Sequence, residues 1–169
     1  MSMNRRRRRG SSLIEFTIAG IPTILLMITT IEMARGMWMY HTMAYAVKET
    51  SRFLVVKGSD CKESGNNCAI TIGQMFNKFK ESGLGLDPAK LTLTVTTSTN
   101  KTVCNADTPC AGNADPWPLD SGTVPGQWVR VEASIPFQSA ILIIFPTSGT
   151  VSKLGEVTFS ASSRELIQF

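Results

Sequence analysis

The chain has 169 residues and a mass of 18.4 kDa, a length that fits one domain with an anchor or tail and excludes a large multidomain enzyme. Hydrophobic residues make up 43% of it and charged residues 18%, which excludes general disorder. The net charge of +4 has a local origin, because five of the 17 basic residues form one N-terminal run. The other 12 basic residues are balanced by 13 acidic residues. The run therefore indicates a signal at the N-terminus and not a nucleic-acid-binding fold.

An apolar run follows these arginines. Phe16–Ile31 contains no charged residue, and Glu15 is the only charge between Ser11 and Ile31. About 20 helical residues span the hydrocarbon core of a bilayer, and a helix that is apolar on every face is unusual in a soluble protein. The run predicts a membrane-spanning helix in which Pro22 introduces a kink without ending the helix.

The arginine run also predicts the orientation of the span. Positive charges mark the cytoplasmic end of a span, and after the apolar run only Arg35 lies close to it. The part of the chain after about residue 35 is therefore expected outside the inner membrane. Glu32 and Arg35, three residues apart, are expected to pair at the membrane interface. The residues that carry the topology signal are Arg5, Arg6, Arg7, Arg8 and Arg9.

The helical pattern continues beyond the span, and Gly58 is its expected stop. The apolar stripe of this continuation consists of Met33, Met37, Tyr40, Ala44, Val47 and Leu54, with Ser51 in the remaining step. We predict a leader (1–10), a membrane-spanning helix (11–35) and an amphipathic continuation of the same helix (36–58).

Residues 59–169 form the predicted extracytoplasmic domain. A short amphipathic helix is expected over 69–82, and the stretch 101–126, rich in Pro, Gly, Asp and Asn, predicts a long loop. Alternating apolar residues predict strands over 91–95, 128–137 and about 156–161. Residues 140–145 fit either a strand or a turn of buried helix. The expected fold class is α+β, with the long helix packed on a small antiparallel sheet.

All four cysteines lie in this domain, where an oxidising compartment would preserve disulfides. They are Cys61, Cys68, Cys104 and Cys110. Of the three possible pairings, Cys61–Cys68 and Cys104–Cys110 are favoured because each pair lies within one polar loop. The alternative is a zinc site, which prefers closer cysteine spacing and a reducing compartment.

No combination of residues suggests enzymatic activity. His41 is the only histidine and is predicted on the membrane-proximal helix, so neither a catalytic triad nor a metal centre is expected around it. The sequence contains no glycine-rich phosphate loop. We expect no catalytic residue, no metal and no cofactor.

The most informative feature is the junction between the two runs, RRRRRG followed by SSLIEF. A carboxylate within the apolar part of a helix costs about 2–3 kcal/mol and therefore normally has a partner. Cleavage after Gly10 would give Ser11 a positive α-amine, one helical turn from Glu15. The carboxylate would then neutralise that amine, either in its own chain or in a neighbouring subunit.

This junction resembles the type IV pilin superfamily, and most closely the TadE-like proteins of the tight-adherence (Flp) pilus systems. The matching features are the arginine-rich leader ending in Gly10, the start Ser11–Phe16, the apolar helix and the stretch Ala46–Arg52. The departures from the more uniformly aliphatic helix start of the family are Thr17, Gly20 and Pro22.

The resemblance implies a pilin-like fold and cleavage between Gly10 and Ser11 by a prepilin peptidase. Glu15 and Phe16 would serve in processing and subunit registration. The product would be a minor pilin or pseudopilin that assembles an adhesive pilus with other pilin subunits and the assembly platform, without nucleic acid. It would reside in the inner membrane with its C-terminal domain in the periplasm, or in an extracellular pilus.

Two alternatives remain open. An unprocessed single-pass anchor would present a periplasmic binding or adaptor domain. A secreted enzyme, released by signal peptidase after Ala46, would need an active site that the sequence does not suggest.

Overall fold

The computed structural model describes residues 7–64, 69–117, 121–139 and 156–168. Its elements are helix α1 (Arg7–Val55), a 3₁₀ helix (Ser59–Ser64), helix α2 (Ile72–Ser82), and strands β1 (Thr92–Thr96), β2 (Lys101–Cys104), β3 (Trp128–Gln138) and β4 (Glu156–Leu166). The predicted fold class is confirmed: a long N-terminal helix and a small four-stranded antiparallel sheet form an α+β arrangement.

Helix α1 is continuous over 49 residues and includes Pro22. Proline removes one backbone donor and crowds the preceding turn, yet the helix continues through it, as predicted. The helix ends at Val55, three residues before the predicted stop at Gly58. One helix thus joins the apolar N-terminal run directly to the folded domain.

The face of α1 that packs on the domain differs from the predicted stripe. Met33 and Met37 are 69% and 56% exposed, and Tyr40 is also exposed. The buried positions are Gly36, Met43, Ala46, Val47, Thr50, Ser51, Leu54 and Val55. The stripe was wrong in its first half because this helix carries methionines on several faces. Three- and four-residue spacing therefore fits more than one face, and packing on the sheet selects the one that begins with Gly36.

The sheet has the strand order β2-β1-β3-β4, with every neighbouring pair antiparallel. Strands β3 and β4 pair over their full length, from Trp128 opposite Leu166 to Gln138 opposite Glu156. The buried residues of one face are Leu93, Val95, Val129, Val131, Ala133 and Ile135. Helix α1 contacts both β3 and β4, and α2 packs on α1. The other face of the sheet carries mainly threonine, serine and charged side chains.

The loop predicted over 101–126 was wrong at its start, because β2 occupies its first four residues. Strand β2 pairs with β1 across a tight turn in which the backbone N–H of Thr97 donates to the carbonyl oxygen of Asn100 at 2.8 Å. The short strand is stabilised by this pairing and not by an alternating apolar pattern of its own. The last strand extends five residues beyond its predicted end, to Leu166. Residues 140–145 lie outside the described parts of the chain.

The N-terminus of α2 is fixed by the loop that follows β2. Thr71 and Gln74 form a capping box, so the helix begins at Ile72 and not at residue 69. The next two backbone donors, those of Ile72 and Gly73, bond to the carbonyl oxygens of Asp115 and Asn113 at 2.9 and 3.0 Å. The loop therefore satisfies N–H groups that a helix start otherwise leaves without an intrahelical partner.

Candidate membrane-anchoring and assembly segment

The predicted cleavage point, between Gly10 and Ser11, lies near the start of α1. Glu15 lies four residues after Ser11 and therefore on the same face of the helix, at a rise of about 6 Å. Glu15 and Phe16 are both exposed, Phe16 by 79%. The helical geometry thus keeps the carboxylate within one turn of the residue that cleavage would make N-terminal.

The arginines of the predicted topology signal fall at the edge of the described chain. Helix α1 begins at Arg7 and also includes Arg8 and Arg9, whereas Arg5 and Arg6 lie outside the described residues. Three of the five arginines are therefore continuous with the helix that carries the apolar run.

The apolar part of α1 has no protein cover within the described structure. Its apolar 18-residue window has a mean hydropathy of 1.8, and none of that window is buried. Among the described residues, α1 is the one helix long and apolar enough to cross a membrane. The residues from Leu13 to Ile31 include eight Leu and Ile side chains that are more than one third exposed: Leu13, Ile14, Ile18, Ile21, Ile24, Leu25, Leu26 and Ile31.

The threonine side chains within this apolar segment are satisfied by the helix itself. The hydroxyls of Thr17, Thr23, Thr29 and Thr30 donate to the carbonyl oxygens of Leu13, Ala19, Leu25 and Leu26 at 2.7–3.0 Å. A hydroxyl moved from water into hydrocarbon without a partner costs several kcal/mol. Because each threonine bonds within its own helix, the segment meets the main polar requirement of a lipid environment.

The C-terminal end of the apolar segment contacts the sheet through Arg35. Its guanidinium pairs with Glu32 at 3.1 Å, which confirms the predicted interaction. The same guanidinium donates to the carbonyl oxygen of Gln138 and lies 4.7 Å from the ring centre of Phe137. One arginine thus joins the helix to the end of β3.

An apolar groove opens beside this arginine, between α1 and the adjacent ends of β3 and β4. Its volume is about 490 Å³. The residues that line it include Met33, Gly36, Met37, Tyr40, Phe137, Val157 and Phe159. The rings of Phe137 and Phe159 lie 5.3 Å apart, and Tyr40 contacts Phe159 edge-on at 6.3 Å. We call this feature the α1–β4 groove.

Sequence reasoning missed the α1–β4 groove. Phe137 was assigned only to the end of a strand, and Phe159 only to the middle of one. Their proximity depends on the strand register, in which Ile135 faces Phe159 and Phe137 faces Val157. The available signal was that Phe137 lies near the end of one predicted strand and Phe159 near the start of the next, where antiparallel pairing brings aromatic side chains together.

The disulfide predicted between Cys104 and Cys110 is present, with 5.3 Å between the two Cα atoms. Cys61 is also disulfide-bonded, and its predicted partner, Cys68, lies outside the described residues. Cysteines in disulfides do not offer thiolates to zinc. The described ranges contain no cluster of three or more His, Cys, Asp or Glu side chains that would hold a metal ion.

The N-terminal helix is also the part of the chain that matches known proteins. The family model described as TadE-like protein matches residues 10–52. No curated protein and no solved structure is significantly similar to the chain. The match begins at Gly10, includes Glu15 and ends within α1. Over this segment, about a quarter of its length, the chain is similar to the TadE-like family, which confirms the resemblance to a TadE-like protein of the tight-adherence pilus system.

Proposed function

We propose that the chain is a minor pilin or pseudopilin of a tight-adherence pilus. In this function α1 spans the inner membrane with its N-terminus in the cytoplasm, and the domain after it stands in the periplasm or in a pilus. A prepilin peptidase cleaves between Gly10 and Ser11. The observation that carries the proposal is the exposed apolar helix, which matches the TadE-like family over residues 10–52 and whose C-terminal part is buried in a folded domain.

Glu15 has a specific part in this proposal. After cleavage its carboxylate lies one turn from the new α-amine of Ser11, and a neighbouring subunit would bring a second such pair into the same layer of the membrane. Opposite charges attract strongly in a medium of low dielectric constant, so a shift along the helix axis that separates them is costly. Glu15 would therefore set the axial position of one subunit against the next.

The size of the folded part favours an accessory subunit over the main structural one. The resemblance implies that the major pilins of these systems are much shorter, whereas this chain carries a sheet, a second helix and disulfide-bonded loops beyond α1. We therefore propose a role in initiating or assembling the pilus, and through it in surface adhesion.

Mass spectrometry of the mature chain tests the proposal. A chain isolated from membranes that contain the peptidase should begin at Ser11. The variant Gly10→Leu should retain its leader, because a bulky side chain would replace the small residue at the cleavage point. The matched control is Gly20→Ala, where a Cβ would come no closer than 4.0 Å to the Phe16 ring, and it should be processed normally. Retention of the arginines in the native chain would instead support the unprocessed anchor with a periplasmic binding domain.

A further inference from the structure

The α1–β4 groove is an unusual surface for a domain exposed to water. Its walls are almost entirely carbon, and three of the side chains at its rim, Met33, Met37 and Val157, are more than half exposed. Gly36 adds no side chain to the groove, and the rings of Phe159 and Phe137 lie close to its backbone. Contiguous apolar surface of this kind is normally covered by a ligand, a partner or a membrane.

The position of the groove along α1 indicates what covers it. Leu13 to Ile31 rises about 27 Å, close to the thickness of the hydrocarbon core, so the core ends near Glu32. The groove begins at Thr29 and reaches His41, a rise of about 18 Å. The end of the groove at Thr29 therefore lies at the boundary between acyl chains and headgroups, and the apolar surface of the groove is continuous with that of the span.

The exposed aromatic side chains of α1 near this level are of the kind found at a boundary between hydrocarbon and water. Trp38 is 66% exposed and Tyr40 is also exposed, about 9 and 12 Å of helix rise beyond Glu32. Tryptophan and tyrosine rings are enriched where hydrocarbon meets water, because each has an apolar body and a polar tip. Arg35 extends to the end of β3 from the same level, with its charge directed to Glu32 and to a backbone carbonyl.

We propose that the α1–β4 groove rests on the outer surface of the inner membrane and that phospholipid acyl chains fill its end nearest the span. The domain then lies on the bilayer at the ends of β3 and β4, and is not held above it on the helix alone. This inference rests on the membrane-spanning helix of the proposed function, and it adds a second, peripheral membrane contact to it. Lipids of the same bilayer are the occupant because they are already present at the level of the groove.

Quenching by spin-labelled lipids tests this contact in the full chain, reconstituted at one copy per nanodisc. A thiol-reactive fluorophore is placed at Val157→Cys, at the rim of the groove, or at Ser162→Cys, which is exposed on the opposite face of β4. Unsubstituted protein measures any labelling of native cysteines. Nitroxides near the headgroup end of the acyl chain should quench the label at residue 157 at least about threefold more strongly than the label at residue 162, because only the former lies at the hydrocarbon boundary.

A third label separates failure of this inference from failure of the proposed function. Ile24→Cys lies in the middle of the span, and nitroxides deep in the bilayer should quench it. Quenching at residue 24 with equal, weak quenching at residues 157 and 162 would overturn the groove contact alone. Absence of quenching at residue 24 would overturn both. Quenching at residue 157 that is lost when two copies share a disc would identify a second copy as the occupant, and would also overturn the proposal.

Discussion

The guanidinium of Arg35 lies over the ring of Phe137, with 4.7 Å between the guanidinium carbon and the ring centre, and this contact joins the C-terminal end of the apolar segment to the end of β3. The two residues are remote in sequence, and the same arginine also pairs with Glu32 and donates to the carbonyl oxygen of Gln138. The contact therefore fixes the direction in which the sheet leaves the helix.

A double-mutant cycle measures this contact. We expect Arg35→Ala and Phe137→Leu to show a coupling of about 0.5–1 kcal/mol in the free energy of unfolding, because the ring attracts the cation at a site that remains open to water. Thermal unfolding of the full chain in detergent provides the measurement. Arg52→Ala combined with Phe137→Leu serves as the control, since Arg52 is exposed near the far end of α1. Equal coupling in both cycles would show that the Arg35 contact has no energetic role.

Substitution of Gly73 tests how α2 is held. A Cβ at Gly73 would lie 2.7 Å from the carbonyl oxygen of Asn113 and 3.0 Å from its nitrogen, both backbone atoms. We expect Gly73→Ala to lower the free energy of unfolding by about 1–3 kcal/mol, because the loop has to move away from the helix start. Denaturant unfolding followed by circular dichroism measures the loss.

The matched control for that substitution is Gly36→Ala. It is also a glycine within a helix, but its Cβ would make ordinary contact with the Phe159 ring at 3.4 Å. Because alanine favours the helix over glycine by about 1 kcal/mol, Gly36→Ala should leave stability unchanged or raise it. A stabilising Gly73→Ala would contradict the close approach of the loop to α2.

Substitution of Thr50 is expected to stabilise the protein. Its side chain is fully buried, and its hydroxyl has no hydrogen-bond partner within the described structure. Thr50→Val keeps the shape and removes the hydroxyl, so we expect the free energy of unfolding to rise by about 1 kcal/mol. The neighbour Ser51 is equally buried, but its hydroxyl donates to the carbonyl oxygen of Val47 at 2.8 Å. Ser51→Ala should therefore not stabilise the protein, and a loss of stability in Thr50→Val would contradict the assignment.

Glu15 provides the functional test. Glu15→Ala should leave membrane insertion intact, because it makes the span more apolar, but it should impair processing or assembly. Membrane fractionation, the mass of the mature chain and the yield of surface pili are the three measurements. Glu32→Ala removes the carboxylate at the other end of the span and should preserve processing. A normal yield of pili from Glu15→Ala would remove the proposed role of this residue.

The sequence was sufficient to predict the long helix, the strands β1, β3 and β4 (the last one short by five residues) and the Cys104–Cys110 pairing. These features depend on local signals: a long uncharged apolar run, alternation of period two, and cysteines within one loop. It was not sufficient for β2, where KTVC has few apolar residues and is a strand only because β1 lies beside it. The turn residues TSTN between the two strands were the signal for a hairpin that the sequence reading did not use.

The buried face of α1 and the α1–β4 groove depended on information that no local pattern contains. Met37 and Met43 are equally apolar, yet the first is 56% exposed and the second fully buried. The difference arises because Met43 lies on the face of α1 that the domain core covers, whereas Met37 lines the open α1–β4 groove. The spacing of apolar residues shows which residues share a face of a helix. Which of several apolar faces becomes buried depends on the element that packs against the helix.

The unbroken path of α1 has a mechanical consequence. A helix of 49 residues is a rod of about 73 Å, and it has no loop between its N-terminal end and the side chains of Val47 and Leu54 in the core. Its last residue is held in turn, because the N–H of Gln168 donates to the carbonyl oxygen of Val55 at 3.1 Å. The hydrogen bonds of the helix would transmit tension applied at its N-terminus directly to the domain, because no flexible segment lies between them. A tilt of the helix at its N-terminal end would therefore turn the sheet at the other end.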